Sequence, residues 1–187
     1  MDERIDIVDE NGQFTGESAL KSEIHRRGLY HNTAHVWLYT PEGCVLLAQR
    51  SAFKLICPLL WDVSVAGHVD SGESITDAAI REIYEELGVK ISKDALVEIG
   101  INKSMRSYPN GMIDNEFHHS FISEVNFKIS DYEINTEEVE TIKYVTLSEF
   151  ENFLDQSEAT NHFVKSNDPY YQFVLSHIKR VIKNKDN

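Results

Sequence analysis

Residues 67–89 of this 187-residue chain, GHVDSGESITDAAIREIYEELGV, decide its fold. The first part of this stretch is a loop with two glycines, and the second part takes the period of an α-helix. Ser74 or Thr76 can cap the start of the helix, and Gly88 stands where a C-cap glycine belongs. The spacing therefore predicts a helix over 74–87.

The predicted helix has two different faces. Its apolar stripe is formed by Ile80, Ile83 and Leu87. Three carboxylates lie roughly opposite, at Glu82, Glu85 and Glu86. Glu82 and Glu86 are like charges four residues apart, a pairing that costs a helix roughly 0.2–0.5 kcal/mol. Arg81 can pair with Glu85, but the helix offers no cation between Glu82 and Glu86.

Spacing alone leaves two interpretations of this acidic face. The first is a solvated face on a surface helix, which is what most charge runs are. The second is a metal site, because a divalent cation would remove the repulsion between the carboxylates. Carboxylate oxygens and water suit a hard ion such as Mg²⁺ or Mn²⁺.

The loop and the helix together resemble the Nudix box and match every position that this pattern specifies. The resemblance implies an α/β fold, the Nudix α/β/α sandwich around a mixed β-sheet. It implies hydrolysis of a nucleoside diphosphate linked to another moiety, with Mg²⁺ or Mn²⁺ as the cofactor. The implied metal ligands are Glu82, Glu85 and Glu86, joined by the carbonyl of Gly67.

The catalytic group predicted from this resemblance comprises Glu85, Glu86, Glu116 and Arg81. Arg81 is expected mainly to pair with Glu73 and so to hold the loop against the helix. Because the helix carboxylates are taken as ligands, we expect the general base elsewhere, and Glu116 at the start of EFHHSFI is the candidate. The competing interpretation of Glu116 is a surface acid at a strand start.

The substrate of such an enzyme is a small anion, so cations in the cleft matter. Arg50 and Lys54 are predicted to contact phosphate, with ordinary surface charge as the alternative. His68 follows the loop glycine and is a third candidate for phosphate contact. Trp61 and Tyr108 fit either base stacking or packing, and packing is favoured for Trp61.

The residues before the box resemble a second branch of the superfamily, the isopentenyl-diphosphate isomerases. The shared pattern includes LLAQRS at 46–51 and SVAGH at 64–68. Isomerases build a metal site from three histidines and two acids, and the matching residues here are His25, His31, His68, Asp114 and Glu116. The alternative for His25 and His31 is a solvated or capping role.

One departure separates this chain from the isomerases. They carry a catalytic cysteine immediately before the Gly-His pair, where this chain has Ala66. A methyl group cannot move a proton to or from an allylic carbon. The complete box and Ala66 both favour hydrolysis, so an isomerase-like enzyme is the alternative. A third possibility, a non-catalytic nucleotide sensor, is disfavoured because all the box carboxylates are present.

The family resemblance implies a central domain, and the periodicity of the flanking segments suggests an extension on each side of it. We expect an N-terminal extension with a β-hairpin over 1–31, a Nudix domain over 32–154, and a helical tail packed on that domain over 155–187. Predicted strands cover 4–8, 13–16, 35–39, 44–50, 61–65, 96–105, 116–127 and 140–145. Predicted helices cover 18–27, 74–87, 147–154 and 169–182. The aromatic segment 161–182 is expected either to cover the core or to form a homodimer contact.

The composition excludes several classes of protein. The formal net charge is −13, which argues against a nucleic-acid polymer or an anionic membrane as partner. No run of apolar residues is long enough to span a membrane, and the acidic N-terminus does not resemble a signal peptide. Two cysteines form no disulfide framework, so a cytoplasmic location is expected.

Overall fold

The structure, a computed structural model, describes residues 2–160, 163–164 and 168–185. The strands are β1 (Arg4–Val8), β2 (Phe14–Leu20), β3 (Tyr30–Tyr39), β4 (Cys44–Arg50), β5 (Trp61–Asp62), β6 (Val65–His68), β7 (Val97–Ser107), β8 (Ile113–Glu124) and β9 (Val139–Thr146). The α-helices are α1 (Lys21–Arg27), α2 (Ile75–Leu87), α3 (Leu147–Thr160) and α4 (Asp168–Lys185). Short 3-10 helices cover Lys93–Ala95 and Ile129–Asp131.

The main sheet is mixed, as expected. Its strand order is β5-β4-β3-β8-β7, with β6 also paired to β3 and β9 paired to β4. Strands β3 and β8 run parallel over Tyr30–Tyr39 and Ile113–Glu124, whereas the other pairs are antiparallel. The parallel pair lies in the middle of the sheet and places His31 beside Glu116.

Alternation along β3 separates two hydrophobic cores. Ala34, Val36 and Leu38 belong to the core beneath α2, together with Ile83 and Leu87. Trp37 and Tyr39 belong to the core beneath α3 and α4. Because neighbouring strand residues point to opposite faces, His31 and His35 share the face of Trp37. The predicted α/β/α sandwich is confirmed.

The apolar face of the last helix, α4, is buried against the sheet. Tyr170, Tyr171, Val174, Leu175 and Ile178 are all buried in the second core. The aromatic segment therefore covers the sheet. Residues 161–162, 165–167 and 186–187 of the predicted tail lie outside the described residues. In the part of the chain that is described, no helix is both long and apolar enough to cross a membrane.

The N-terminal segment forms the predicted hairpin. Strands β1 and β2 pair with each other, and Ile5, Ala19 and Ile24 form a small core of their own. The second strand is longer than predicted: it runs to Leu20, so α1 begins at Lys21 instead of residue 18. Gly28 ends α1 in the left-handed region at φ 64°, as its position after the helix suggests.

Among the differences between the predicted and observed strands, two have identifiable physical reasons. The single strand predicted over 61–65 is two strands, β5 on β4 and β6 on β3. Ser64 lies at the switch, where its hydroxyl donates to the Leu46 carbonyl and accepts from the Leu38 amide. Strand β3 begins at Tyr30, five residues before the predicted start. The prediction missed this part because the first half of the strand is polar and lacks the apolar alternation that marks a strand.

Candidate active site

The loop before α2 is tied to the helix by Arg81. Its guanidinium donates to both carboxylate oxygens of Glu73 and to the His68 carbonyl. It also donates to Glu82 at 2.7 Å and to Glu85 at 3.1 Å. The helix starts where predicted, since the Ser74 hydroxyl accepts from the Asp77 amide. Arg81 thus orients two of the three carboxylates of the acidic face, Glu82 and Glu85.

Gly67 lies against the side chain of Glu82. A Cβ at position 67 would lie 1.9 Å from Glu82 Cδ, closer than any real carbon contact. Glycine is therefore the residue that lets β6 approach the helix. This contact places the backbone of Gly67 next to one of the carboxylates predicted to bind metal.

The three box glutamates have different surroundings. Glu86 is only 7% exposed, and burial together with the nearby Glu82 raises its pKa well above the usual range. Burial likewise raises the pKa of Glu82 to about 7, although Arg81 opposes the shift. The Glu85 side chain is 53% exposed and pairs with Arg81. Burial thus outweighs the ion pair with Arg81 at Glu82 and the nearby cations Lys54 and Arg50 at Glu86, so both carboxyls are harder to ionise than a free one.

A second group of ligand-type side chains lies across the cleft. Within the described part of the chain, three sets of ligand atoms lie within 4.8 Å of one another: His25-His31-His68, His31-Asp114-Glu116 and His35-Glu116-His118. None of these sets contains a box glutamate. The structure therefore brings together the histidines and acids of the isomerase-like pattern as one compact group.

Hydrogen bonds define the tautomer that two of these histidines adopt when they are neutral. His25 Nδ1 lies 2.8 Å from the Lys21 carbonyl, and His31 Nδ1 lies 3.1 Å from the Leu29 carbonyl. A carbonyl oxygen only accepts, so each Nδ1 carries a proton and each neutral ring has its lone pair on Nε2. A backbone partner of this kind orients metal-ligating histidines.

These Nε2 atoms point at carboxylates. His25 Nε2 is 3.3 Å from Asp114 Oδ1, and His31 Nε2 is 3.5 Å from Glu116 Oε1. His68 stacks on His31 with ring centroids 5.2 Å apart. Three of the buried atoms here have no hydrogen-bond partner, namely His31 Nε2, His68 Nε2 and Asp114 Oδ1. Lone pairs facing carboxylates need a positive charge between them, so this donor set fits a divalent cation.

Glu116 links two histidine groups. One carboxylate oxygen faces His31 and His68, and the other accepts from His118 Nε2 at 2.8 Å. Burial would raise the pKa of Glu116, but the hydrogen bond from His118 and the nearby His31 outweigh it and hold that pKa well below its usual value. The carboxylate is therefore ionised.

A family model described as the NUDIX domain matches residues 29–165. The chain belongs to the Nudix family. Nudix hydrolase 3 of Arabidopsis thaliana is 36% identical over 161 residues, which are 84% of this chain but only 21% of that protein. An uncharacterized Nudix hydrolase of Clostridium acetobutylicum is 36% identical over 157 residues, 82% of this chain and 75% of the relative. These matches identify an enzyme of the Nudix hydrolase type.

The isomerase-like flanks of this Nudix chain also have counterparts. An isopentenyl-diphosphate Delta-isomerase of Streptomyces avermitilis is 32% identical over 146 residues, 78% of this chain and 72% of that enzyme. A crystal structure from Deinococcus radiodurans, at 23% identity, superposes with a TM-score of 0.65 over 95% of this chain and 98% of that one. This superposition supports the Nudix fold.

The predicted site residues of this Nudix hydrolase largely share one cleft. The cleft has a volume of about 1150 Å³. Eight of the predicted site residues line it: Arg50, Lys54, Gly67, His68, Glu82, Glu85, Glu86 and Glu116. Arg81 lies behind them as the clamp of the loop. Whether each one performs its predicted role stays a prediction.

The two cations predicted to contact phosphate already have partners. Arg50 pairs with Asp62 at 3.4 Å and donates to the Ile56 carbonyl, and Lys54 pairs with Glu138. His68 packs with the histidine group, where burial and the cation of Lys21 lower its pKa well below the usual value. Of the three, His68 is the one that the structure buries among other histidines, stacked on His31.

Sequence reasoning missed one buried histidine in the cleft. His35 stacks on His118 with ring centroids 4.0 Å apart, and it accepts or donates a hydrogen bond at Nδ1 with Tyr170. A period of two from His31 would have placed His35 on the same face of β3. No local signal connects it to Tyr170, which lies 135 residues later in the chain.

Proposed function

We propose that this chain is a metal-dependent hydrolase that cleaves a diphosphate linkage, in a nucleoside diphosphate derivative or a related small phosphate, by attack of water. The observation that supports this most is the pairing, in one cleft, of buried box carboxylates with histidines whose free Nε2 atoms face acids. The box carboxylates and the histidine group would each be stabilised by an added cation. A diphosphate is itself anionic, so cations must stand between it and a protein of net charge −13.

The residues that would hold Mg²⁺ or Mn²⁺ fall into two groups. Glu82, Glu85, Glu86 and the Gly67 carbonyl form the first. The histidine group forms the second, with His25, His31, His68, Asp114 and Glu116 as its members. When bound, such ions neutralise phosphate charge and lower the pKa of water.

The protein's own groups would orient the substrate and accept the proton. Arg50 and Lys54 line the cleft and would exchange Asp62 and Glu138 for phosphate oxygens. Glu116 is ionised and is our proposed proton acceptor, although its low pKa makes it a weak base.

The experiment is a hydrolysis panel on the full chain. Substrates would include ADP-ribose, deoxynucleoside triphosphates, NADH and a dinucleoside polyphosphate, each with Mg²⁺, Mn²⁺ or EDTA. ADP-ribose comes first because a Shewanella oneidensis Nudix domain was crystallised with it, at 18% identity and a TM-score of 0.51 over 65% of this chain and 75% of that one. Product analysis in ¹⁸O-labelled water locates the broken bond.

Variants then connect activity to the site. Glu85→Gln, Glu86→Gln and Glu116→Gln are each expected to lower kcat by at least about 100-fold. Glu42→Gln, on the exposed turn between β3 and β4, is the matched control. The proposal fails if no compound is hydrolysed in a metal-dependent way, or if the site variants remain as active as the control.

An isomerase is the second candidate, supported by the compact histidine and acid group and by the isomerase relative. Against it stands Ala66 on β6, whose methyl group cannot transfer a proton. Deuterium exchange into isopentenyl diphosphate would separate the two functions. We expect no exchange at enzyme concentrations that give clear hydrolysis of the panel substrate.

The assembly and location expected from the sequence remain proposals as well. We propose that the chain binds neither a nucleic-acid polymer nor a membrane. We also propose a cytoplasmic location. A homodimer is testable by sedimentation of the purified chain.

A further inference from the structure

Two buried side chains of β3 meet at the hydroxyl of Tyr170, which lies far along the chain on α4. Trp37 Nε1 lies 3.0 Å from this oxygen, and His35 Nδ1 also lies 3.0 Å from it. Tyr170 and Trp37 are at most 2% exposed, and His35 is 8% exposed. The contacts join β3 to the C-terminal helix α4.

The direction of these hydrogen bonds follows from chemistry. The indole N–H of Trp37 can only donate, so the Tyr170 oxygen accepts from it. The Tyr170 hydroxyl then has one hydrogen to give. Ser120 Oγ donates to the same oxygen at 3.5 Å, so His35 Nδ1 at 3.0 Å is the acceptor that remains for this hydrogen. Tyr170 therefore donates to His35, and Nδ1 of that ring carries the lone pair.

This arrangement gives neutral His35 the opposite tautomer to that of His25 and His31. Those two rings carry a proton on Nδ1 and a lone pair on Nε2, whereas neutral His35 carries its proton on Nε2. Burial, with the neighbouring His118, lowers the pKa of His35 well below the usual value, which agrees with a neutral ring. His35, Glu116 and His118 lie close enough together to resemble a metal site. In this tautomer, however, Nε2 of His35 carries a hydrogen, so it would donate a hydrogen bond and would not ligate a metal.

The imidazole of His35, which carries the Nε2–H group, lines the cleft. His35 is the Cα partner of Ala66 on β6, and both residues line the cleft together with Arg50. The small side chain of Ala66 leaves space beside the imidazole. A neutral N–H donor beside a guanidinium is suited to an anionic oxygen.

We propose that His35, held in its neutral Nε2–H form by Tyr170, donates a hydrogen bond to an oxygen of the bound diphosphate. His35 is then a substrate-binding residue, and Tyr170 is a positioning residue that acts through it. The proposal rests on the proposed function only in taking a diphosphate as the ligand. It gives helix α4 a part in the active site in addition to covering the sheet.

The first test is the tautomer, measured on the free enzyme by ¹⁵N NMR of the imidazole rings, with His35→Gln used for assignment. We expect an unprotonated nitrogen at Nδ1 and a protonated one at Nε2. Tyr170→Phe should alter this pattern, whereas Tyr171→Phe should not. Tyr171 is the matched control because it lies on the same helix, is equally buried and donates to the Val164 carbonyl at 2.9 Å. A proton on Nδ1 of the wild-type ring would overturn the proposal.

The second test is binding of methylenediphosphonate, a diphosphate analogue that water does not cleave, in the presence of Mg²⁺. His35→Leu should weaken binding by about 10- to 100-fold, the range for a hydrogen bond to a charged group. His35→Gln should recover most of this loss, because its amide presents an N–H near the Nε2 position. Tyr170→Phe should weaken binding more than Tyr171→Phe at equal thermal stability. Equal affinity of His35→Leu and the wild type would overturn the donor role.

Neither measurement needs turnover, so the two proposals fail separately. If the tautomer and the analogue binding are as expected but no panel compound is cleaved, His35 keeps its role and the proposed hydrolysis is wrong. If hydrolysis occurs but Nδ1 of His35 is protonated, the inference about Tyr170 is wrong.

Discussion

The guanidinium of Arg81 donates to both carboxylate oxygens of Glu73, with Nε 3.0 Å from Oε1 and Nη2 2.8 Å from Oε2. The same nitrogen Nη2 reaches the His68 carbonyl, so one side chain joins the helix, the loop and β6. The sequence resemblance implied this ion pair. The helical spacing predicted the pairing of Arg81 with Glu85, and the structure adds its contact with the carboxylate of Glu82.

Replacing Arg81 with lysine keeps the charge and removes the planar fork. We expect Arg81→Lys to lower the free energy of unfolding by about 1–3 kcal/mol, because charge-assisted hydrogen bonds to Glu73 and to the carbonyl are lost. Urea denaturation measures the change. The double variant with Glu73→Gln should cost less than the sum of the two single variants. Additive costs would contradict a coupled pair.

Adding one methyl group at Gly67 should disturb the acidic face. The new Cβ would lie 1.9 Å from Glu82 Cδ, so Gly67→Ala must displace that side chain or the strand. We expect a loss of about 1–3 kcal/mol in the free energy of unfolding and at least about tenfold weaker Mn²⁺ binding. Glu82→Ala in the same chain makes room for the methyl group, so the double variant should regain stability but not metal binding. If Gly67→Ala is as stable as the wild type, the contact is wrong.

Local rules account for the parts of the fold that could be predicted. The cap at Ser74, the C-cap at Gly88 and the change of period identify helix α2 without tertiary information. The same rules did not predict polar strand segments, because the residues of such a segment serve a site and not a hydrophobic core. The first half of β3 is an example: it is polar where it pairs with β6 and β8.

The grouping of these side chains in space could be predicted, but the tautomers of the histidines could not. A resemblance could gather His25, His31 and Glu116, but only the carbonyl partners of the rings show which nitrogen holds the proton. The contact of His35 with Tyr170 joins β3 to a helix 135 residues later. No period or spacing encodes such a contact.

Removing a histidine from the compact group should weaken Mn²⁺ binding. We expect His25→Gln and His31→Gln each to lower the affinity by about tenfold or more, because the buried acids Asp114 and Glu116 then lack part of their ligand set. Titration calorimetry of the full chain measures this. His177→Gln is the matched control, since its Nδ1 lies 2.9 Å from a carbonyl four residues earlier on a helix, as in His25. Equal Mn²⁺ affinity in all three variants would refute the histidine site.

Metal-free protein should lose stability as the pH rises, because Glu82 and Glu86 must ionise in a buried cleft. The pKa of Glu82 is raised from 4.5 to about 7, so its contribution to stability is complete below pH 4.5 and is lost as the pH rises through 7. This shift corresponds to roughly 3 kcal/mol. Urea denaturation in EDTA at pH 5 and pH 8 should show a smaller loss for Glu82→Gln than for the wild type, with Glu42→Gln behaving as the wild type. Mn²⁺ at pH 8 should restore stability to the wild type but not to Glu82→Gln, because the bound cation replaces the missing proton. Parallel pH profiles for wild type and Glu82→Gln would show that this carboxylate is not strained in the metal-free state.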